Sequence, residues 1–181
     1  MRIVTYGGAV SLDGFLAGAH GEIDWLHYSK DVQQVMTEYW KDVDAILMGR
    51  KTYAIAAAMN PGKVKSISGG KAVIRTYVFS RTVAKIDQPD TELVSGDAGA
   101  FVRELKEKPG KKICLMGGGE LATSLLAEGL VDEIGLNIQP ILLGAGVPVF
   151  RDAGRRVKLK MTECRALEGG CVLAKYYIAP S

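Results

Sequence analysis

The 181-residue chain is poor in the residues that build metal and disulfide sites, with three cysteines and two histidines. Cys114, Cys164 and Cys171 are odd in number and form no C-x-x-C pair, so the sequence predicts free thiols of a reducing compartment. His20 and His27 are too few to complete a three-ligand zinc or iron constellation by spacing, and no metal is expected. A G-x-S-x-G elbow is missing, which leaves a serine hydrolase without its nucleophile turn. No apolar run approaches about 18 residues, and the Met-Arg-Ile-Val-Thr-Tyr start lacks a signal-peptide core. A cytosolic chain with no membrane partner is therefore expected. An excess of one charge is missing too: 23 Lys and Arg stand against 20 Asp and Glu, for a net charge of +3. Without a long basic stripe or aromatics interleaved with it, nucleic acid is not an expected partner.

What is present is an ordered alternation of strand and helix signals. The length suits one domain over 1–181. A β-prone stretch from Arg2 to Val10 runs into the Ser11-Leu12-Asp13-Gly14 turn and a Gly-containing loop that ends at Trp25-Leu26. Ser29 then caps a helix whose apolar positions Val32, Val35, Met36, Tyr39 and Trp40 recur at three- and four-residue steps. Strands at Asp44–Met48, Ala72–Phe79, Glu92–Val94 and Lys112–Met116 alternate with helices ending near Met59, Lys108 and Glu128. Asn60-Pro61-Gly62 breaks the first of those helices, and a polar loop follows to Lys71. A strand pattern from Ile134 to Leu143 and a hairpin from Val157–Leu167 to Cys171–Ile178 complete the chain. This order predicts an α/β, three-layer fold: a mostly parallel central sheet, helices on both faces and an antiparallel C-terminal hairpin.

Ligands of such sheets bind outside the carboxyl ends of the strands. Three turns follow strands directly: Gly49-Arg50-Lys51-Thr52, Ser80-Arg81-Thr82 and Gly117-Gly118-Gly119-Glu120-Leu121-Ala122. Glycine lets backbone N–H groups approach a diphosphate, and a helix N-terminus favours its charge. Arginine adds the planar donor set that suits a 2′-phosphate. The last turn matches G-x-G-x-x-A, yet no acidic residue at the end of a following parallel strand completes a Rossmann unit.

These turns, taken with Ser11-Leu12-Asp13-Gly14-Phe15-Leu16-Ala17 and Pro140-Ile141-Leu142-Leu143-Gly144-Ala145-Gly146-Val147-Pro148-Val149-Phe150, resemble the dihydrofolate-reductase superfamily. The likeness is closest to the branch containing the C-terminal reductase domain of riboflavin-biosynthesis deaminase-reductases, and it runs in order along nearly the whole chain. The resemblance implies an NADPH-dependent oxidoreductase acting on a C=N-type bond of a small heterocycle. The named activities nearest to it reduce 5-amino-6-(5-phosphoribosylamino)uracil or dihydrofolate. It implies NADPH across Gly49, Arg50, Lys51, Thr52, Ser80, Arg81, Gly117, Gly118, Gly119, Glu120 and Leu121, with nicotinamide near the loop between Val10 and Ala17. It further implies substrate contacts from Trp25 and Asn137, and a homodimer that the apolar tail strands would suit.

Reduction of C=N requires a proton at nitrogen. Asp31, in the first turn of the first helix, is the candidate catalytic carboxylate, and a dipole-stabilising role explains it equally. Asp13 reads as a turn-ordering residue. Ala122 where the folate enzymes carry an aromatic residue, and Ser29-Lys30 where they carry proline, set the chain apart from that branch. The alternative to an enzyme is a non-catalytic NADP(H)-binding module.

Overall fold

The computed structural model describes residues 1–59, 74–116, 118–152 and 154–179. Its strands are β1 (Val4–Ser11), β2 (Phe15–Ala17), β3 (Val43–Gly49), β4 (Arg75–Phe79), β5 (Thr91–Val94), β6 (Lys112–Leu115), β7 (Glu133–Gln139), β8 (Val147–Pro148), β9 (Leu159–Ala166) and β10 (Val172–Ile178). The helices are α1 (Lys30–Lys41), α2 (Arg50–Met59), α3 (Ala98–Glu107) and α4 (Gly119–Ala127). The expected break at Asn60-Pro61-Gly62 and the loop to Lys71 lie outside the described residues.

Eight strands form one sheet in the order β5-β4-β3-β6-β1-β7-β10-β9, and β2 pairs with β8 in a small second sheet. From β5 to β7 every neighbouring pair is parallel, whereas β10 runs antiparallel to both β7 and β9. The expected architecture is the observed one. β3, inside the parallel part, is buried on both faces, which is why it reads as the nearly unbroken apolar run Val43–Met48.

One core cluster gathers Tyr6, Leu47, Val102, Ile113, Leu115 and Leu125 beneath α3 and α4. The opposite face packs Ile46, Met48, Val78 and Cys114 against Tyr39 and Trp40 of α1 and Tyr53 of α2. Caps set the helix starts as the sequence predicts. Ser29 Oγ accepts from Val32 N, and Asp97 Oδ1 accepts from Ala100 N at 2.7 Å. Among the described residues no helix is long and apolar enough to cross a membrane.

Two expectations needed adjustment. The segment read as a loop after Gly14 contains β2, because Phe15 and Ala17 pair with Pro148 and Val147. The strand read from Ile134 to Leu143 stops at Gln139, since Pro140 has no N–H to continue the ladder.

Candidate functional site

Parallel pairing puts the carboxyl ends of β4, β3, β6 and β1 side by side, in that order. Phe79 lies in register with Gly49, so the Ser80-Arg81 turn starts beside the Gly49 corner. On the other side of β3, Leu47 pairs with Leu115 and its carbonyl accepts from Met116 N at 2.8 Å. That register brings Gly118 against Gly49. Gly118 caps α4 in the left-handed region at φ 82°, a conformation that favours glycine. A β-carbon there would stand 3.5 Å from Gly49 N and 3.7 Å from the Thr52 hydroxyl. Two helix N-termini, those of α2 and α4, therefore open into one corner that a side chain would fill.

Around this corner the described cations are Arg50, Lys51, Arg81 and Arg151, all exposed. Arg151 was not singled out from sequence. It reaches α4 from the distant segment after β8, lies 3.7 Å from the Glu120 carboxylate, and stands over Gly119. Only the fold brings it there. Thr52 is half-buried with its hydroxyl toward Gly118, and Leu121 packs on the core while its turn faces the corner. Gly117 lies outside the described residues. Ser80 Oγ accepts from Thr82 N at 3.2 Å and from Val83 N at 3.1 Å, which orders the turn that carries Arg81.

The β1 end is fastened to the loop after β7. Asp13 accepts from Gly144 N at 2.8 Å, from Leu143 N at 3.1 Å and from Ser11 Oγ at 2.6 Å. The Ser11 hydroxyl, foremost, and these backbone donors hold the Asp13 carboxyl below its ordinary value. Val149 N donates to Gly14 O at 2.9 Å, and the buried Tyr6 hydroxyl donates to Val149 O. Burial pushes that phenol up to about 12. The result is a braced edge from Val10 to Ala17. Val10 sends its side chain into the core, so it can offer a ligand only backbone, and Ala17 lies beside Val147 in the small sheet.

Asp31 sits at the same end, on the other side of β7. Its carboxylate accepts from the Ser29 hydroxyl, from Glu168 N at 2.7 Å and from Val32 N at 2.8 Å. The Ser29 hydroxyl, then the Glu168 N–H, hold it below the usual carboxylate range. These are the partners of a cap that also ties α1 to the turn between β9 and β10. Trp25 is half-buried and its indole N–H donates to Glu22 O at 3.0 Å. Asn137 lies on β7 in register with Ala9, and its Oδ1 is buried without a hydrogen-bond partner among the described residues. A hollow of about 250 Å³ lies along α1, lined by Asp31, Glu38, Lys112, Arg165 and Lys175 among others. Lys112 is paired with Glu133, and Lys175 with Glu163.

With this geometry in view, similarity to known proteins is informative. Residues 2–173 match the model of the RibD C-terminal domain. The Bacillus subtilis protein YyaP, itself uncharacterised, is 37% identical over 174 residues, covering 93% of this chain and 91% of that protein. A putative riboflavin biosynthesis protein from Shewanella superposes with a TM-score of 0.84 at 24% identity, over 99% of this chain and 100% of the other. The Saccharomyces cerevisiae riboflavin biosynthesis reductase Rib7 superposes with a TM-score of 0.68 at 17% identity, over 98% and 90% of the two chains. This chain belongs to the RibD C-terminal domain family and has that family's reductase-like fold.

Proposed function

We propose that the chain is a cytosolic NADPH-dependent reductase, active as a homodimer, that delivers hydride to a C=N-type bond of a small heterocycle. The observation that carries this reading is the contact of the Gly49 and Gly118 corners, with Ser80-Arg81 on the next strand. Donor chemistry fits the coenzyme. Backbone N–H groups of the two helix starts and the Thr52 hydroxyl suit a diphosphate, while Arg50, Lys51 and Arg81 suit a 2′-phosphate. From β4 to β1 the corners span three strand spacings, roughly 14 Å, an extended track that ends at the braced loop from Val10 to Ala17.

When bound, the coenzyme supplies the hydride. The chain's own residues align and enclose. Asp13 holds the loop that edges the nicotinamide end, and Asn137 faces the substrate from β7. Asp31 is the chain's candidate carboxylate for delivering the proton to nitrogen, and at rest it caps the start of α1 through the Ser29 hydroxyl and the Glu168 N–H. The substrate nearest to hand is 5-amino-6-(5-phosphoribosylamino)uracil or a dihydropterin. Loss of absorbance at the nicotinamide band when these are mixed with protein and NADPH is the test. Coenzyme binding with no turnover of either compound class would favour the module without chemistry.

A further inference from the structure

The two carboxylate oxygens of Asp31 are engaged unequally. Oδ1 accepts from the Ser29 hydroxyl and from Val32 N at 2.8 Å, which occupies both of its lone pairs. Among the described residues Oδ2 accepts from Glu168 N alone, at 2.7 Å, and keeps one lone pair free. A proton added to this carboxyl therefore goes to Oδ2. The group beside it there is a backbone N–H from the turn between β9 and β10, 137 residues further along the chain.

That turn is held in place. Leu167 N donates to Cys171 O at 2.8 Å to close it, and Gly169 and Gly170 carry it round at φ 78° and 80°. A β-carbon at Gly169 would collide with the His27 ring, and one at Gly170 would stand 3.5 Å from Pro140. The turn is thus wedged between the segment entering α1 and the residue after β7. Other charges also face Asp31 across the hollow. Glu38 and Asp42 share its helix, and Lys112 of β6, Arg165 of β9 and Lys175 of β10 stand opposite. Lys112 is paired with Glu133, and Glu163 holds both Lys175 and Arg165, so their charges are met elsewhere. The buried Cys171 thiol is pushed up by burial first and by the Asp31 charge second, so it adds no charge of its own.

Resting on the reductase reading, we propose that Glu168 is a positioning residue for the proton-delivering carboxylate: its N–H aims Asp31 Oδ2 and restrains that oxygen from taking up the proton the reaction uses. In the step, Oδ2 takes a proton from solvent, and the Oδ2–H bond breaks as the substrate nitrogen accepts that proton and its carbon accepts hydride. The C=N bond becomes CH–NH, the coenzyme is oxidised, and Asp31 returns ionised to the Glu168 N–H. A donor on the ionised form favours that form, so the β9–β10 turn acts as a brake on the acid.

The test compares Glu168→Pro with Glu168→Ala in the full chain. Leu167 is extended at φ −119° and ψ 162°, the conformation a residue before proline adopts, and Glu168 begins a single helical turn, where proline fits. Proline removes the N–H as well as the side chain, whereas alanine removes the side chain alone. The ¹³C carboxyl titration of Asp31 should lie about one pH unit higher in the proline variant than in the alanine variant. The limb of kcat/KM against pH, for 5-amino-6-(5-phosphoribosylamino)uracil or dihydrofolate with NADPH, should move with it while NADP⁺ affinity stays unchanged. An Asp31 titration that is the same in both variants, or a rate limb that stays put while the titration moves, would overturn the proposal. Should the proline variant fail to fold, the parent chain decides. Its Glu168 amide ¹H resonance should shift with the Asp31 midpoint and lose that step in Asp31→Asn, and an amide indifferent to Asp31 would overturn the proposal. A Glu168 amide that follows Asp31 in a protein that reduces neither compound and binds no NADP⁺ would instead sink the reductase reading.

Discussion

Gly118 lies against Gly49 at the ends of neighbouring strands, and both begin the approach to a helix N-terminus. Any side chain at Gly118 would enter the shared corner and would also carry the strain of φ 82°. Gly118→Ala is expected to cost about 1–2 kcal/mol, a fall in Tm of about 2–8 °C. NADPH affinity should fall by more than tenfold in the still-folded protein. Calorimetric titration below the transition separates the two effects, and unchanged affinity would remove Gly118 from the coenzyme site.

Arg50 opens α2 after β3, and Arg81 lies in the turn ordered by Ser80 after the adjacent strand β4. Each charge-assisted contact to a phosphate is worth roughly 1.5–3 kcal/mol. Replacing both with Ala should weaken NADPH at least about tenfold more than NADH. Equal losses for the two coenzymes would show that these arginines do not meet a 2′-phosphate.

Asp31 links α1 to the turn after β9 across 137 residues of sequence. Its folded carboxyl lies below the ordinary value of 3.8, so the stability it contributes is present above that value and is lost as pH falls through the folded one. Asp31→Asn should therefore be less stable than the parent at neutral pH, with the gap closing below about pH 4. Thermal melts of the two proteins from pH 7 to pH 3 measure this. A constant gap would mean that the charge plays no part in the clamp.

Local signals announced much of this architecture. Ser29 and Asp97 cap the helices they precede, and the glycine corners follow the apolar strands as their spacing suggests. Contacts set by the fold at long range were not legible. Nothing near Asp31 marks Glu168 as its partner, and nothing near Arg151 brings it to α4. Val10 falls in a β-prone run that does not reveal which face carries core, so its inward side chain appears only with the sheet. Gln139 falls in the stretch read as strand from Ile134 to Leu143, and only packing discloses that its Nε2 is buried without a partner among the described residues.

The tail strands differ sharply between their two faces. Leu159, Met161, Cys164 and Ala166 share one face of β9 with Ile178, Tyr176, Ala174 and Val172 of β10, while Lys160, Glu163, Arg165 and Lys175 lie on the other. Leu159 is 45% and Met161 52% exposed. On β10 this face is already covered, with Ala174 buried and Tyr176 and Ile178 packed on the core, so the β9 half with Leu159 and Met161 is what the proposed homodimer would bury. Met161→Arg should convert the dimer to a monomer in light scattering after gel filtration, with the fold retained by circular dichroism. A dimer that survives the charge must use another surface.

The most direct measurement is a backbone amide NMR titration of the full chain with NADPH, with NADH as comparison. Saturable shifts at Gly49, Arg50, Ser80, Arg81 and Gly118, at lower concentrations of NADPH than of NADH, are the predicted result. Shifts confined to other parts of the chain, or no saturable response to either nucleotide, would contradict the account.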